Sequence, residues 1–97
     1  MTKKATFDCR VKPEQTAVAE KMMRDALPDT RAFAGCISVE VMRDSDDPDR
    51  WFLMEEWESY DHHQAYVSWR VETGWSECFA ANLDGEPTLR YFDPVDM

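Results

Sequence analysis

The stretch "LMEEWESYDHHQAY" (Leu53–Tyr66) opens as a strand and closes as a helix, and it sets Glu55 and Glu56 side by side among large apolar residues. Neighbours on a strand point to opposite faces, so one carboxylate is expected on each side of a sheet. The predicted strand runs from Trp51 to Glu58. Trp51, Leu53 and Trp57 share the face of Glu55, and Phe52 and Met54 share that of Glu56. A sheet with a solvated back alternates apolar with polar; this strand is apolar on both sides. Ser59 is a plausible N-cap, and Asp61 lies near the positive end of the dipole of a helix predicted over residues 60–71.

Working outward, "ATFDCRV" (Ala5–Val11) alternates as a first strand. Pro13 suits a first helical turn. Val18, Ala19, Met22, Met23, Ala26 and Leu27 then form an apolar helical stripe, which Pro28 is expected to end or carry into its last turn. Gly35 precedes a second strand, Cys36–Met42, with Ile37, Val39 and Val41 read on one face and Cys36 on the other. A polar connection leads to the third strand. After it come the helix, a further helical piece over Trp75–Leu83, and a last strand over Thr88–Phe92. The order β-α-β-β-α-α-β predicts an α+β fold: a ferredoxin-like four-stranded antiparallel sheet with helices on one face. Helices cover only one face, so a second subunit is expected on the other, and a homodimer follows.

The chain has 97 residues, 43% of them apolar, which suits a single globular domain. A net charge of −9 repels nucleic-acid phosphates and anionic lipid, so neither nucleic acid nor membrane is an expected partner. No signal layout or long apolar run stands out, and a cytoplasmic location is expected. Cys9, Cys36 and Cys78 are odd in number and form no C-x-x-C pair. They are read as reduced, mostly buried thiols, with no zinc site or disulfide framework.

The ordered set Gly35-Cys36, Asp47-Pro48, Trp51, Glu55, Trp57 and Ser59, within "GCISVEVMRDSDDPDRWFLMEEWES", resembles the antibiotic-biosynthesis-monooxygenase (ABM) superfamily. The likeness spans most of residues 1–97 as a single ABM-like domain, and it is specific over about residues 31–66. It implies a dimeric α+β barrel, two sheets packed back to back, with a pocket between sheet and helices in each subunit. Relatives include quinol and anthrone monooxygenases that use neither metal nor flavin; others degrade haem, isomerise a small phosphorylated signal, or have no known activity. The family's Ala-His on the following helix is replaced here by Ala65-Tyr66, with no later His. A haem-degrading site would need a proximal His that this chain lacks.

The candidate residues carry alternative readings. His62 and His63 diverge by about 100° on a helix, so they cannot share a metal; His63 either faces the pocket or is a polar residue of the first turn. Asp44, Asp46 and Glu55 have EF-hand spacing, but Pro48 and Asp49 occupy the positions where that loop needs a ligand and a glycine. A solvated hairpin loop is expected instead. Trp57, Tyr66 and Trp69 are either core or the aromatic wall of a pocket. Glu55 is expected to be structural, in an intrasheet or interface ion pair with Arg10, Arg43, Arg70 and Arg90 as candidate partners, and a proton-abstracting pocket base is the alternative.

The resemblance then implies a cofactor-independent monooxygenase acting with O2 on a quinol-like or polyketide-derived aromatic, with no cofactor or metal. Its catalytic residues would be Tyr66, Arg70 and Glu55, and its substrate wall Trp57, His63 and Trp69. Two rival readings are a non-catalytic small-molecule-binding or stress-response dimer and an isomerase of a small polar metabolite. An apolar, aromatic-walled cavity favours the oxygenase, and a solid core favours the binding protein. A pocket lined by Arg and carboxylates favours the isomerase.

Overall fold

The computed structural model describes residues 2–97. Strand β1 (Lys3–Arg10) leads through a 3-10 turn at Pro13–Gln15 into α1 (Thr16–Ala32). Strands β2 (Cys36–Arg43) and β3 (Arg50–Trp57) follow, then α2 (Tyr60–Glu72), α3 (Trp75–Ala80) and β4 (Thr88–Phe92). All strand pairs are antiparallel, and the sheet order is β2-β3-β1-β4. This is the expected ferredoxin-like α+β arrangement. It puts β3 between β1 and β2, where its side chains decide what both faces contain.

Trp51, Leu53, Glu55 and Trp57 are buried, while Phe52, Met54 and Glu56 on the opposite face are half-buried. Helical packing covers the first set: Trp51 and Leu53 join Met23 of α1 and Phe79 of α3 in one core cluster. The second set faces outward beside Met42 and Glu40 of β2 and Thr6 and Asp8 of β1. That outer face is mixed, with Lys4 beside Glu56 and Arg50 on Asp8, so it is less uniformly apolar than β3 alone suggests.

Several boundaries differ from the sequence expectation for identifiable reasons. Pro28 lies inside α1, four residues before its end, so it opens the last turn and does not end the helix. Val18 leaves the predicted stripe for solvent, and the buried set is Ala19, Met23, Ala26 and Thr30. A bulge between Cys36 and Ser38 makes Ile37 the extra residue of β2. This reverses parity: Cys36 stands opposite buried Trp57 on the Val39 and Val41 side, and Ile37 is exposed. Helix α3 stops at Ala80 instead of Leu83, because the Asn82 side chain donates to the Cys78 and Phe79 carbonyls. Leu83 pairs with Val11 as an isolated bridge.

The β2–β3 connection is the expected hairpin loop. The Asp44 carboxylate accepts from the Asp46 and Asp47 amides at 2.8 and 3.1 Å, and Arg10 holds Asp47 at 2.5 Å. Of the free cysteines, Cys9 is buried, Cys36 is intermediate and Cys78 is exposed, so the last departs from the buried expectation.

Candidate active site

Helix α2 places the site. Ser59 is its N-cap, with Oγ accepting from the His62 amide at 3.1 Å and lying 2.6 Å from His62 Nδ1. From this start, His63, Tyr66, Val67 and Arg70 fall at i, i+3, i+4 and i+7, one face of the helix. All four line a cavity of about 140 Å³ between the helices and the sheet. Most of the remaining wall is apolar, including Phe7, Leu27, Leu53 and Phe79, and the sheet contributes one carboxylate, Glu55.

Glu55 is 6% exposed, and Trp57 Nε1 donates to its Oε1 at 3.0 Å. Burial pushes its pKa above the usual carboxylate range, and the Trp57 hydrogen bond only partly opposes this. None of the expected arginines reaches it. Arg10 pairs with Asp47, Arg43 with Glu20, and Arg70 turns to neutral acceptors; Arg90 is exposed and pairs with no carboxylate among the described residues. The expected ion pair within the chain is therefore corrected. Parity put Glu55 on the inner face, but strand order and helix placement put its nearest cation candidates elsewhere.

His63 is 1% exposed, and its Nε2 lies 3.6 Å from Glu55 Oε1. Its Nδ1 is 2.6 Å from the Tyr91 hydroxyl, which also accepts from Gln64 Nε2 at 2.5 Å. Tyr91 has one proton to give, and Nδ1 is its nearest acceptor. With that proton given to Nδ1, the imidazole carries its own on Nε2, the nitrogen that faces Glu55. Burial lowers the His63 pKa to about 4, so the ring is neutral at pH 7.

At the other end of the cavity, Tyr66 and Arg70 share a network with Thr30. The Tyr66 hydroxyl lies 2.7 Å from Thr30 Oγ1 and accepts from Arg70 Nε at 2.9 Å. Arg70 Nη2 donates to the Ala26 carbonyl at 2.9 Å and to Thr30 Oγ1 at 3.0 Å. The guanidinium also lies over the rings of Trp69, Trp75 and Tyr66 at 4.6, 5.0 and 5.4 Å. Thr30 donates to the Ala26 carbonyl at 3.1 Å, so in this arrangement the Tyr66 proton is given to Thr30.

Glu55, His63, Tyr66 and Arg70 thus converge on one cavity, whereas the two tryptophans do not line it. Trp57 is fully buried, its ring packed 5.1 Å from that of Tyr66. Trp69 packs on Phe33 and lines an open groove on the far side of Arg70. Sequence reasoning missed Thr30, Tyr91 and Trp75. Thr30 had a signal, since it continues the Ala19, Met23, Ala26 spacing. Tyr91 shares its strand face with Leu89, but only the β1–β4 pairing brings it to His63. Among the described residues no cluster of three metal-ligating side chains occurs. No helix is long and apolar enough to cross a membrane.

Comparison with known proteins adds the family. Solved structures similar over nearly the whole chain include an antibiotic biosynthesis monooxygenase at 20% identity, covering 97% of this chain and 99% of that one, with a TM-score of 0.89. A conserved protein from Methanosarcina mazei Go1 is 17% identical, with 95% and 91% covered and a TM-score of 0.88. A variant of SnoaB, a cofactor-independent oxygenase from Streptomyces nogalater, is 10% identical, with 99% and 95% covered and a TM-score of 0.84. At these identities the likeness establishes the fold alone. No curated protein matches the sequence. Residues 4–77, about three quarters of the chain, match the antibiotic biosynthesis monooxygenase family. The sheet order, the cavity under α2 and the matched residues agree, and the chain belongs to the antibiotic biosynthesis monooxygenase family.

Proposed function

We propose that this protein is a cofactor-independent monooxygenase that oxidises a single-ring, quinol-like aromatic within the cavity, working as a homodimer. The supporting observation is that Glu55, His63 and Arg70 converge on a mainly apolar chamber. Its volume, about 140 Å³, is close to the roughly 150 Å³ at which an engineered apolar cavity binds benzene. One ring fits such a space, and a multi-ring polyketide does not. The mainly apolar wall favours an oxygenase over an isomerase of a polar metabolite, and the presence of a cavity favours both over a solid binding module.

In the proposed reaction Glu55 takes a phenolic proton, helped by the raised basicity that burial gives it. The neutral His63 holds its Nε2–H toward the carboxylate and keeps water out. The hydroquinone anion passes one electron to O2, and the resulting ring radical and superoxide combine to form a carbon–oxygen bond. Glu55 gives its proton to the outer peroxide oxygen and then takes the ring C–H proton as the O–O bond breaks and the carbonyl forms. The departing hydroxide takes that proton from Glu55, giving water and the free carboxylate. The sum is hydroquinone plus O2 to hydroxybenzoquinone plus water. At the other end of the cavity Arg70 faces the ring's second polar substituent and stabilises the negative charge that the anion delocalises toward it. Outward-facing Phe52 and Met54, with Met42 37% exposed beside them, support the dimer.

The test is oxygen uptake with hydroquinone under 18O2 in the presence of a chelator. One labelled atom should enter the hydroxyquinone and the other should leave as water. No uptake with any single-ring hydroquinone would overturn the reading.

A further inference from the structure

Arg70 and Glu55 are the only buried members of the Lys/Arg and Asp/Glu sets among the described residues, and they are not paired with each other. Glu55 has His63 and Trp57 for company. Arg70, 7% exposed, makes no salt bridge to a carboxylate among the described residues. Its acceptors are a carbonyl and two hydroxyls, and its Nη1 makes no hydrogen bond within the described residues. Three aromatic faces surround the guanidinium and offset part of its desolvation. They supply no countercharge. Buried charges in proteins are ordinarily paired, and this chain has twenty acidic residues from which a partner could have come.

We propose that the countercharge is brought by the ligand: the site takes a single-ring phenol or hydroquinone carrying an ionised carboxylate, seated on Arg70 with its hydroxyl toward Glu55. This rests on the cavity being the reaction chamber proposed above. His63, which faces Glu55, and Arg70 lie seven residues apart on α2, about 10 Å along the axis. A ring bearing a hydroxyl and a carboxylate para to each other carries its polar groups at opposite ends, matching a cavity with Glu55 at one end and Arg70 at the other. Arg70 and Trp75 line both the cavity and the adjoining groove, so the carboxylate end has room beyond the apolar chamber; Asp29 also lines the groove but makes no salt bridge to Arg70. The chain's net charge of −9 repels anions at a distance, which makes the buried guanidinium the selecting charge. A planar fork suits a carboxylate better than an ammonium does.

Calorimetric titration of the wild-type protein with 4-hydroxybenzoate and with its methyl ester tests this without any variant. The two probes share a ring and a hydroxyl and differ in the charge. The acid should bind at least tenfold more tightly. In Arg70→Gln the ratio should fall to about one, and Arg70→Lys should retain part of it. Ester binding as tight as acid binding, no binding of either at millimolar concentration, or an undiminished ratio in a folded Arg70→Gln would overturn the proposal. Acid binding without oxidation of any hydroquinone would sink the oxygenase reading and leave this one standing. Turnover of neutral hydroquinone with no preference for the acid would do the reverse.

Discussion

Glu55 Oε1 and His63 Nε2 face each other at 3.6 Å across the wall of one apolar cavity. That is too long for a hydrogen bond. Burial pushes both toward their neutral forms, the carboxyl upward and the imidazole downward. Two titratable groups held this way in a cleft are characteristic of a site poised for proton transfer.

The His63 shift makes a stability prediction with a definite sign. The folded pKa is about 4, against about 6.5 for the unfolded chain. Between these values the unfolded chain holds more protons, so the contribution is present above pH 6.5 and lost as pH falls toward 4. The loss amounts to about 3 kcal/mol. Glu55 acts oppositely: with its folded pKa raised, stability is lost as pH rises above about 4.5 through that folded value. In His63→Gln the acid-side loss should largely vanish from urea midpoints. A His63 NMR titration midpoint near pH 6.5 would contradict the buried neutral ring.

Gly35 has a φ of +90°, and an added Cβ would lie 2.3 Å from His62 Cγ. His62 cannot simply move away, because Ser59 holds its Nδ1 at 2.6 Å. Gly35→Ala should cost about 1–3 kcal/mol, which lowers the melting temperature of a domain this size by at least about 5 °C. Adding His62→Ala should recover the steric part and leave the backbone part. An unchanged melting temperature for the single variant would show that the turn tolerates a side chain.

Much of this fold was legible because β3 and α2 announce themselves through side-chain period. Parity alone put Glu55 and Glu56 on opposite faces, and Ser59 marked the start of α2. The bulge at Ile37 was not legible, since Cys36–Met42 alternates without any sign of an extra residue. The partners of Glu55 were misjudged for a related reason. An arginine on a neighbouring strand reaches a carboxylate only if register and face both match, and Arg10 instead meets Asp47 across the hairpin. Tyr66 and Arg70 could be placed on one helical face, but Thr30, which links them, comes from α1, thirty-six residues before Tyr66. Helix–helix packing brings it there, and no local pattern shows that.

Tyr66→Phe keeps the ring and deletes the oxygen that accepts from Arg70 Nε and contacts Thr30. Leaving those groups short of a partner should cost about 1–3 kcal/mol of stability. Turnover of a hydroquinone should fall roughly tenfold to a hundredfold as Arg70 loses its anchor. Wild-type turnover together with wild-type stability would reduce Tyr66 to packing.

The proposed dimer makes the outer face of β3 its interface. Static light scattering at micromolar concentration should give about twice the chain mass of 11.4 kDa. Phe52→Lys, which puts a charge into the middle of that face, should give a folded monomer. A monomeric wild-type protein would remove the interface.

The central claim, that Glu55 is the base of an oxygenation chamber, is tested most directly by steady-state oxygen uptake in Glu55→Gln. Glutamine keeps the shape and an acceptor for Trp57 Nε1, which donates at 3.0 Å, but it cannot take a proton. A positioned general base contributes about 10²–10⁴-fold. Turnover should fall at least a hundredfold, with ligand binding retained and the melting temperature no lower than wild type. A Glu55→Gln protein that consumes oxygen at the wild-type rate would contradict it.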